Sequence, residues 1–244
     1  MIGIIGGNGV AATNKLCQLI EEKQTKLGAF RDAHHQEMLI WQATQAPSRS
    51  MFLEGRGPSW IEDYVEIGKR LKSCGCDTLC MCCNTAHYAI DLLEKEIGLP
   101  FINLLDVVAL ECYRLGVKRV GMMCSDGLRK VELYDKRFNI FAPEIDLVYP
   151  DQDVQRLVTL GICNAKNAIR FKSERLETEH PANLFSQVCQ HLIEEKGVDC
   201  IVAGCTDIRN VFYPSKGFVS GNSHVLYVDS LEVLSDEIVR LSDK

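Results

Sequence analysis

The chain is short of the features that would direct it to a membrane or to nucleic acid. No stretch of its 244 residues approaches the ~18 apolar residues that suggest a membrane span. Its opening, Met1-Ile-Gly-Ile-Ile-Gly-Gly7, has no basic n-region and is broken by glycine, so it reads as a first strand and its turn rather than a signal peptide. Positive charge is not in excess: 27 Lys and Arg face 33 Asp and Glu, and the net charge of −6 offers no basic field to nucleic acid or an anionic membrane surface. Cysteine is the opposite case, with 12 residues. A chain of this length can build a core without disulfide staples, and with no export signal the expectation is a cytoplasmic protein with reduced thiols.

The cluster Cys74, Cys76, Cys80, Cys82 and Cys83 invites a zinc reading. Its spacing, C-x-C-x3-C-x-C-C, is no standard metal pattern, and no second C-x-x-C or paired His completes one. Strand alternation would also put Cys80 and Cys82 on one face and Met81 and Cys83 on the other, so no metal is expected. Cys17, Cys112, Cys163 and Cys189 read as small core residues. Gly7-Asn-Gly9-Val-Ala-Ala12 matches the G-x-G-x-x-A dinucleotide fingerprint, but the next strand ends Ile40-Trp-Gln-Ala43 with no carboxylate for a ribose. The turn at Asn8 and Gly9 is better suited to offer backbone N–H groups to a small anion.

One pattern occurs twice. Gly75-Cys-Asp-Thr-Leu-Cys-Met-Cys-Cys83 and Gly197-Val-Asp-Cys-Ile-Val-Ala-Gly-Cys205 each run from Gly through Asp and an apolar stretch to a terminal Cys, with polar residues directly after it. Each reads as a buried parallel strand feeding a helix. Each therefore sets a thiol at a strand's carboxyl end, where open α/β sheets bind ligands, and beside a helix N-terminus, which lowers thiol pKa. Strands and helices alternate throughout, giving an α/β fold with mostly parallel pairing. The expectation is two pseudo-symmetric lobes, each a mostly parallel sheet flanked by helices, with the active site in the cleft between them. Residues 1–105 plus 215–244 are assigned to the first lobe and 106–214 to the second, the last strand and helix returning to the first. Helices are expected over Asp126–Arg137 and Asp151–Phe171, a strand over Phe101–Leu105, and a functional loop over Ala46–Pro58.

Asn84, Thr85 and Thr206 could cap helices; beside Cys83 and Cys205 they are equally suited to hold a carboxylate or amino group. His87 lies one helical turn beyond Cys83 and could polarise a ligand or simply pack. Ile2-Gly-Ile-Ile-Gly-Gly-Asn-Gly9, Cys83-Asn-Thr-Ala-His-Tyr88 and Gly204-Cys-Thr-Asp-Ile208 together resemble the signature of the aspartate/glutamate racemase family, nearest its aspartate and L-aspartate/glutamate-specific branch. That resemblance implies two pseudo-symmetric α/β lobes, a homodimer, and catalysis with no pyridoxal phosphate, metal or other cofactor. It implies that Cys83 and Cys205 are the two catalytic bases. It places α-carboxylate and α-amino contacts at Thr13, Asn84, Thr85 and Thr206, to which the reading of the residues adds Asn8, Gly9 and His87 as candidate substrate contacts. Arg49 matches the family arginine that engages a substrate carboxylate, and Lys166 the lysine used for the side-chain carboxylate. Two departures stand out: the family turn Gly-Gly-Met-Gly-Pro is Gly6-Gly-Asn-Gly-Val10 here, and Asp207 replaces the usual Glu after Thr206.

The chemistry agrees with the residues. An amino-acid α-proton is weakly acidic, so inversion without a cofactor needs a base on one face and an acid on the other, with orientation and desolvation supplying the rest. The expected activity is racemisation of an acidic amino acid, aspartate or glutamate. Alternatives are an isomerase, decarboxylase or racemase of a related small molecule such as a hydantoin or maleate, or a non-catalytic binding or thiol-redox protein. The last would more naturally carry C-x-x-C opening a helix, which this chain lacks.

Overall fold

The glycine-interrupted opening folds as strand β1 (Ile2–Gly6), and its turn leads into α1 (Val10–Lys26). The computed structural model describes residues 1–221 and 223–242; Asn222, Asp243 and Lys244, within the segment 215–244, lie outside the described residues. The first half continues through β2 (Met38–Gln42), α2 (Arg49–Leu53), α3 (Ile61–Ser73), β3 (Thr78–Met81), α4 (Ile90–Ile97), β4 (Phe101–Ile102) and α5 (Leu104–Leu115). The second contains β5 (Arg119–Met123), α6 (Asp126–Lys130), α7 (Leu133–Phe141), β6 (Asp146–Val148), α8 (Gln152–Asn164) and α9 (Pro181–Glu194). It ends with β7 (Cys200–Ala203), β8 (Phe218–Ser220), β9 (Ser223–Asp229) and α10 (Ser230–Ser242).

Two sheets form, in the orders β2-β1-β3-β4 and β6-β5-β7-β9-β8, parallel except for the edge strand β8. The repeated pattern thus becomes a repeated topology. β3 and β7 occupy equivalent places, each beside the first strand of its sheet, so Cys83 and Cys205 leave equivalent strand ends.

Period-two alternation decides which side chains meet. Ile4, Cys80, Cys82, Val120, Met122, Cys200 and Val202 share one central core with α1, α5 and α10, packed between the two sheets. Ile5, Leu79, Met81 and Cys83 face the other way, toward α3 and α4. Met123, Ile201 and Ala203 do the same in the second sheet, against α8 and α9. The Cys80/Cys82 and Met81/Cys83 split expected from alternation is therefore what the sheet produces.

Several local expectations change. The strand at Val225–Val228 does not return to the first lobe: β9 pairs with β7 in register Cys200↔Leu226, extending the second sheet, and only α10 crosses to pack on α1 and α5. Strand partners are set by tertiary pairing, which the local pattern of residues 225–228 does not contain. The strand expected at 101–105 stops at Ile102, because the Asn103 side chain accepts the Leu105 N–H (3.1 Å) and starts α5. The helix expected over 126–137 breaks at Glu132, whose φ of 53° is left-handed. That expected over 151–171 ends at Asn164 and resumes only as a 3-10 turn at Ala168–Phe171. The 46–58 loop contains α2, capped by Ser48. Cys163 is exposed rather than in the core.

Candidate active site

The carboxyl ends of β1, β3, β5 and β7 converge on a cavity of about 60 Å³ between the sheets. Cys83 and Cys205 both line it, with Asn8, Arg49, Asn84, Thr85, Lys166 and Thr206 among the expected residues. Ser50, Ser125 and Asp207 line it as well. Gly9 borders a second, outer cavity of about 400 Å³ that shares Asn8, Arg49, Lys166 and Asp207 with the first.

The turn after β1 is built by close backbone approach. Gly7 has a φ of +78°, and a Cβ there would lie 2.6 Å from the Ala43 nitrogen, so only glycine fits. Thr13 is fully buried behind this turn: its hydroxyl accepts the Gly7 N–H (3.0 Å) and donates to the Gly9 carbonyl (2.9 Å). It shapes the turn and does not line the cavity, which corrects its placement as a substrate contact. Asn8 projects inward; its Nδ2 donates to the Tyr64 hydroxyl, while its buried Oδ1 has no partner among the described residues. That oxygen is an acceptor waiting for a donor.

Arg49 opens α2. Its NH1 donates to the carbonyls of Pro47 (2.7 Å) and Ala46 (3.3 Å), and its buried Nε has no partner among the described residues. The guanidinium is thus fixed in place with a donor to spare. Ser50 donates to Ser125 (3.3 Å), which also meets Thr85 (3.3 Å), so three hydroxyls from three elements form one polar wall. Asn84 is held from both ends, accepting from the Tyr134 hydroxyl (2.5 Å) and donating to Ser230 (3.2 Å).

His87 is brought near Cys83 but turned away from the cavity. Its Nε2 accepts the Leu104 N–H (3.1 Å), which leaves Nδ1 to donate to the Cys83 carbonyl (2.9 Å). Burial drives its pKa down to about 4, so the ring is neutral and both nitrogens are consumed by backbone. His87 is a buttress of the Cys83 turn, not a ligand contact.

Cys205 meets a different environment. A 3-10 turn at Ile208–Asn210 follows it, and a 3-10 segment at Asn84–Ala89 separates Cys83 from α4, so neither thiol sits at the expected α-helix N-terminus. Burial pushes the Cys205 thiol up to about 12, and the Asp207 charge adds to this; Lys166 and the Asp207 N–H pull the other way. Lys166 Nζ sits 2.9 Å from Asp207 Oδ2. Burial lowers the lysine's pKa, but the charge and hydrogen bond of Asp207 outweigh it and hold the ammonium protonated. Asp207 in turn packs on Gly9, where a Cβ would come within 2.5 Å of its Oδ1.

Sequence comparison then fixes the lineage. The profile of the Asp/Glu/hydantoin racemases matches residues 2–235. The chain belongs to that family. The family expected from the cysteine motifs is the one found. Among curated relatives, the broad specificity amino-acid racemase RacX of Bacillus subtilis (strain 168) is 22% identical over 217 residues, covering 86% of this chain and 87% of that protein. Among solved structures, an aspartate racemase of Picrophilus torridus superposes with a TM-score of 0.76 at 23% identity, covering 100% of this chain and 94% of that one. Glutamate racemase isoform RacE1 of Bacillus anthracis gives a TM-score of 0.70 at 16% identity, covering 100% and 81%. These superpositions establish a shared two-sheet racemase fold.

Asp207, Ser50 and Ser125 were not singled out as site residues from sequence. For Ser125 a signal existed: it stands in the turn after β5, as Asn8 stands in the turn after β1. Asp207 was visible as a departure from the family motif, and its contact with Gly9 across the cleft was not.

Proposed function

We propose that the protein is an amino-acid racemase that inverts the α-carbon of an acidic amino acid, aspartate or glutamate, by two-base proton transfer between Cys83 and Cys205, without pyridoxal phosphate or metal. One observation carries this reading: two thiols from equivalent strand ends of two like sheets line a single small cavity. One cysteine starts as the thiol and the other as the base, and the roles exchange for the opposite enantiomer. The unpaired Asn8 Oδ1 suits the α-amino group, and the free Nε of Arg49 suits a carboxylate. The hydroxyls of Thr85, Ser125 and Thr206 supply polar donors where charge develops on the α-carboxylate. The same reading takes the enzyme as a cytoplasmic homodimer. A second reading, wider substrate acceptance like that in the name of the Bacillus subtilis relative, is favoured by the pairing of Lys166 with Asp207, which uses up one of the cations expected to read an acidic side chain.

Isotope labelling tests the mechanism. In heavy water the product enantiomer should carry deuterium at Cα from its first appearance, while recovered substrate stays largely protiated at early times. Equal early labelling of both enantiomers would point to a single base and overturn the two-thiol scheme.

A further inference from the structure

The inner cavity, of about 60 Å³, shares walls with the outer one. The side chain of an amino acid seated by its α-groups beside Cys83 and Cys205 projects toward the outer cavity of about 400 Å³, past the walls that the two share. At that boundary stands the Lys166–Asp207 pair, 2.9 Å apart, and Arg49 and Arg170 line the outer cavity as well.

Asp207 is not free to leave. It is only 3% exposed, its carboxylate is braced against Gly9, and its carbonyl accepts the Asn210 N–H (3.2 Å) in the turn that follows. A carboxylate arriving at Lys166 therefore meets a fixed like charge beside the cation it seeks. An uncharged polar side chain meets a pair whose charges cancel.

We propose, resting on the racemase reading above, that Asp207 is a specificity-determining residue: by occupying Lys166 it weakens the preference for an anionic side chain, so that the enzyme accepts uncharged polar amino acids of matching size beside acidic ones. Aspartate and asparagine differ in charge at nearly constant shape, which makes them the discriminating pair. The amide of asparagine keeps a carbonyl for Lys166 and offers N–H donors to Asp207, whereas aspartate offers acceptors alone.

The test compares kcat/KM for L-aspartate and L-asparagine in wild type, D207N and the double variant K166M/D207N. Wild type should use the two within about tenfold. D207N should shift the ratio toward aspartate by at least about tenfold, and the double variant should lose that shift, because the gain requires a released Lys166. A wild type that favours aspartate beyond about tenfold, a D207N ratio unchanged within about twofold, or a shift that survives in the double variant each overturns the assignment. If D207N does not fold, D207S replaces it with the same expectations. Calorimetric binding of succinate and of its monoamide, succinamate, to the same proteins separates the two levels of inference. Absence of turnover on any amino acid would sink the racemase reading, while succinate affinity still decides the role of Asp207: a rise of at least about tenfold in D207N, with succinamate unchanged, supports it, and no rise overturns it.

Discussion

The two cysteine turns hold equivalent places in equivalent sheets, yet they are secured by opposite means. The Cys83 turn is held by neutral hydrogen bonding: His87 joins the Cys83 carbonyl to the Leu104 N–H, and Asn84 is fixed between Tyr134 and Ser230. The Cys205 turn is held by charge. Lys166 pairs with Asp207, and Arg209, just beyond, lies over the Tyr213 ring, 2.7 Å from Glu232 and 3.8 Å from the buried Asp229. The repeated sequence pattern reproduces backbone topology because alternation and strand pairing suffice for that. It does not reproduce electrostatics, which rest on single residues. A reaction whose two half-steps mirror each other would thus be run by a site whose two sides are chemically unlike.

Removing either thiol should have the largest effect and is the sharpest way to break the comparison. Positioned proton transfer contributes roughly 10²–10⁴-fold, and each half-cycle uses both cysteines. C83A and C205A should each lower racemisation of aspartate by about 10³-fold or more while circular dichroism stays native. Near-normal turnover in either variant would end the two-base account. A large loss in only one would show that the asymmetry of the turns extends to the chemistry itself.

The two supports also titrate in opposite senses. His87 is depressed from 6.5 to about 4, so between those values the unfolded chain binds the extra proton, and stability is lost as pH falls through that window. Burial raises Asp229 from 3.8 to about 6, against the pull of Arg209. Between 3.8 and 6 the folded chain binds the extra proton, and stability is lost as pH rises. Each shift corresponds to about 3 kcal/mol, and over the shared window they oppose each other. Urea midpoints from pH 4 to 7 should show D229N losing more stability toward acid than wild type. H87Q should show the opposite change of slope. Profiles that run parallel to wild type in both variants would mean that neither buried group is perturbed as described.

What the sequence revealed and what it concealed divide along the same line. Alternation and punctuation were enough to read two parallel α/β lobes and to set Cys83 and Cys205 at strand ends, because those features depend on period two and on Gly or polar stops. The partner of β9 was not legible, since pairing with β7 is a long-range choice. The spacing of His87 was read correctly, but its direction was not: four residues place it over Cys83, and only the approach of the Leu104 N–H decides that it points inward. The helix N-termini expected beside the two thiols are 3-10 turns instead, and burial raises the Cys205 thiol. The contacts that Asp207 makes with Gly9 and Ser125 with Thr85 cross the cleft, and no local pattern reports them.

The smallest predicted effect contrasts the two cations. Arg49 keeps an unpaired donor, whereas the Lys166 ammonium is committed to Asp207. A guanidinium can hold the Pro47 carbonyl and a substrate carboxylate together in a fixed fork; an ammonium on a flexible stem cannot reproduce that geometry. R49K should therefore lower kcat/KM for aspartate by about 10–100-fold, the range expected for a lost charge-assisted hydrogen bond of roughly 1.5–3 kcal/mol. The loss should fall mainly on KM if Arg49 grips ground state and transition state alike. Removing the second-lobe pair as a unit, in K166M/D207N, should cost less, because an ion pair deleted whole leaves no buried charge behind. Steady-state kinetics on both variants, in both directions, check the ranking. If the double variant proves the more damaging, the second lobe holds the substrate and Arg49 serves only to close the 46–58 loop.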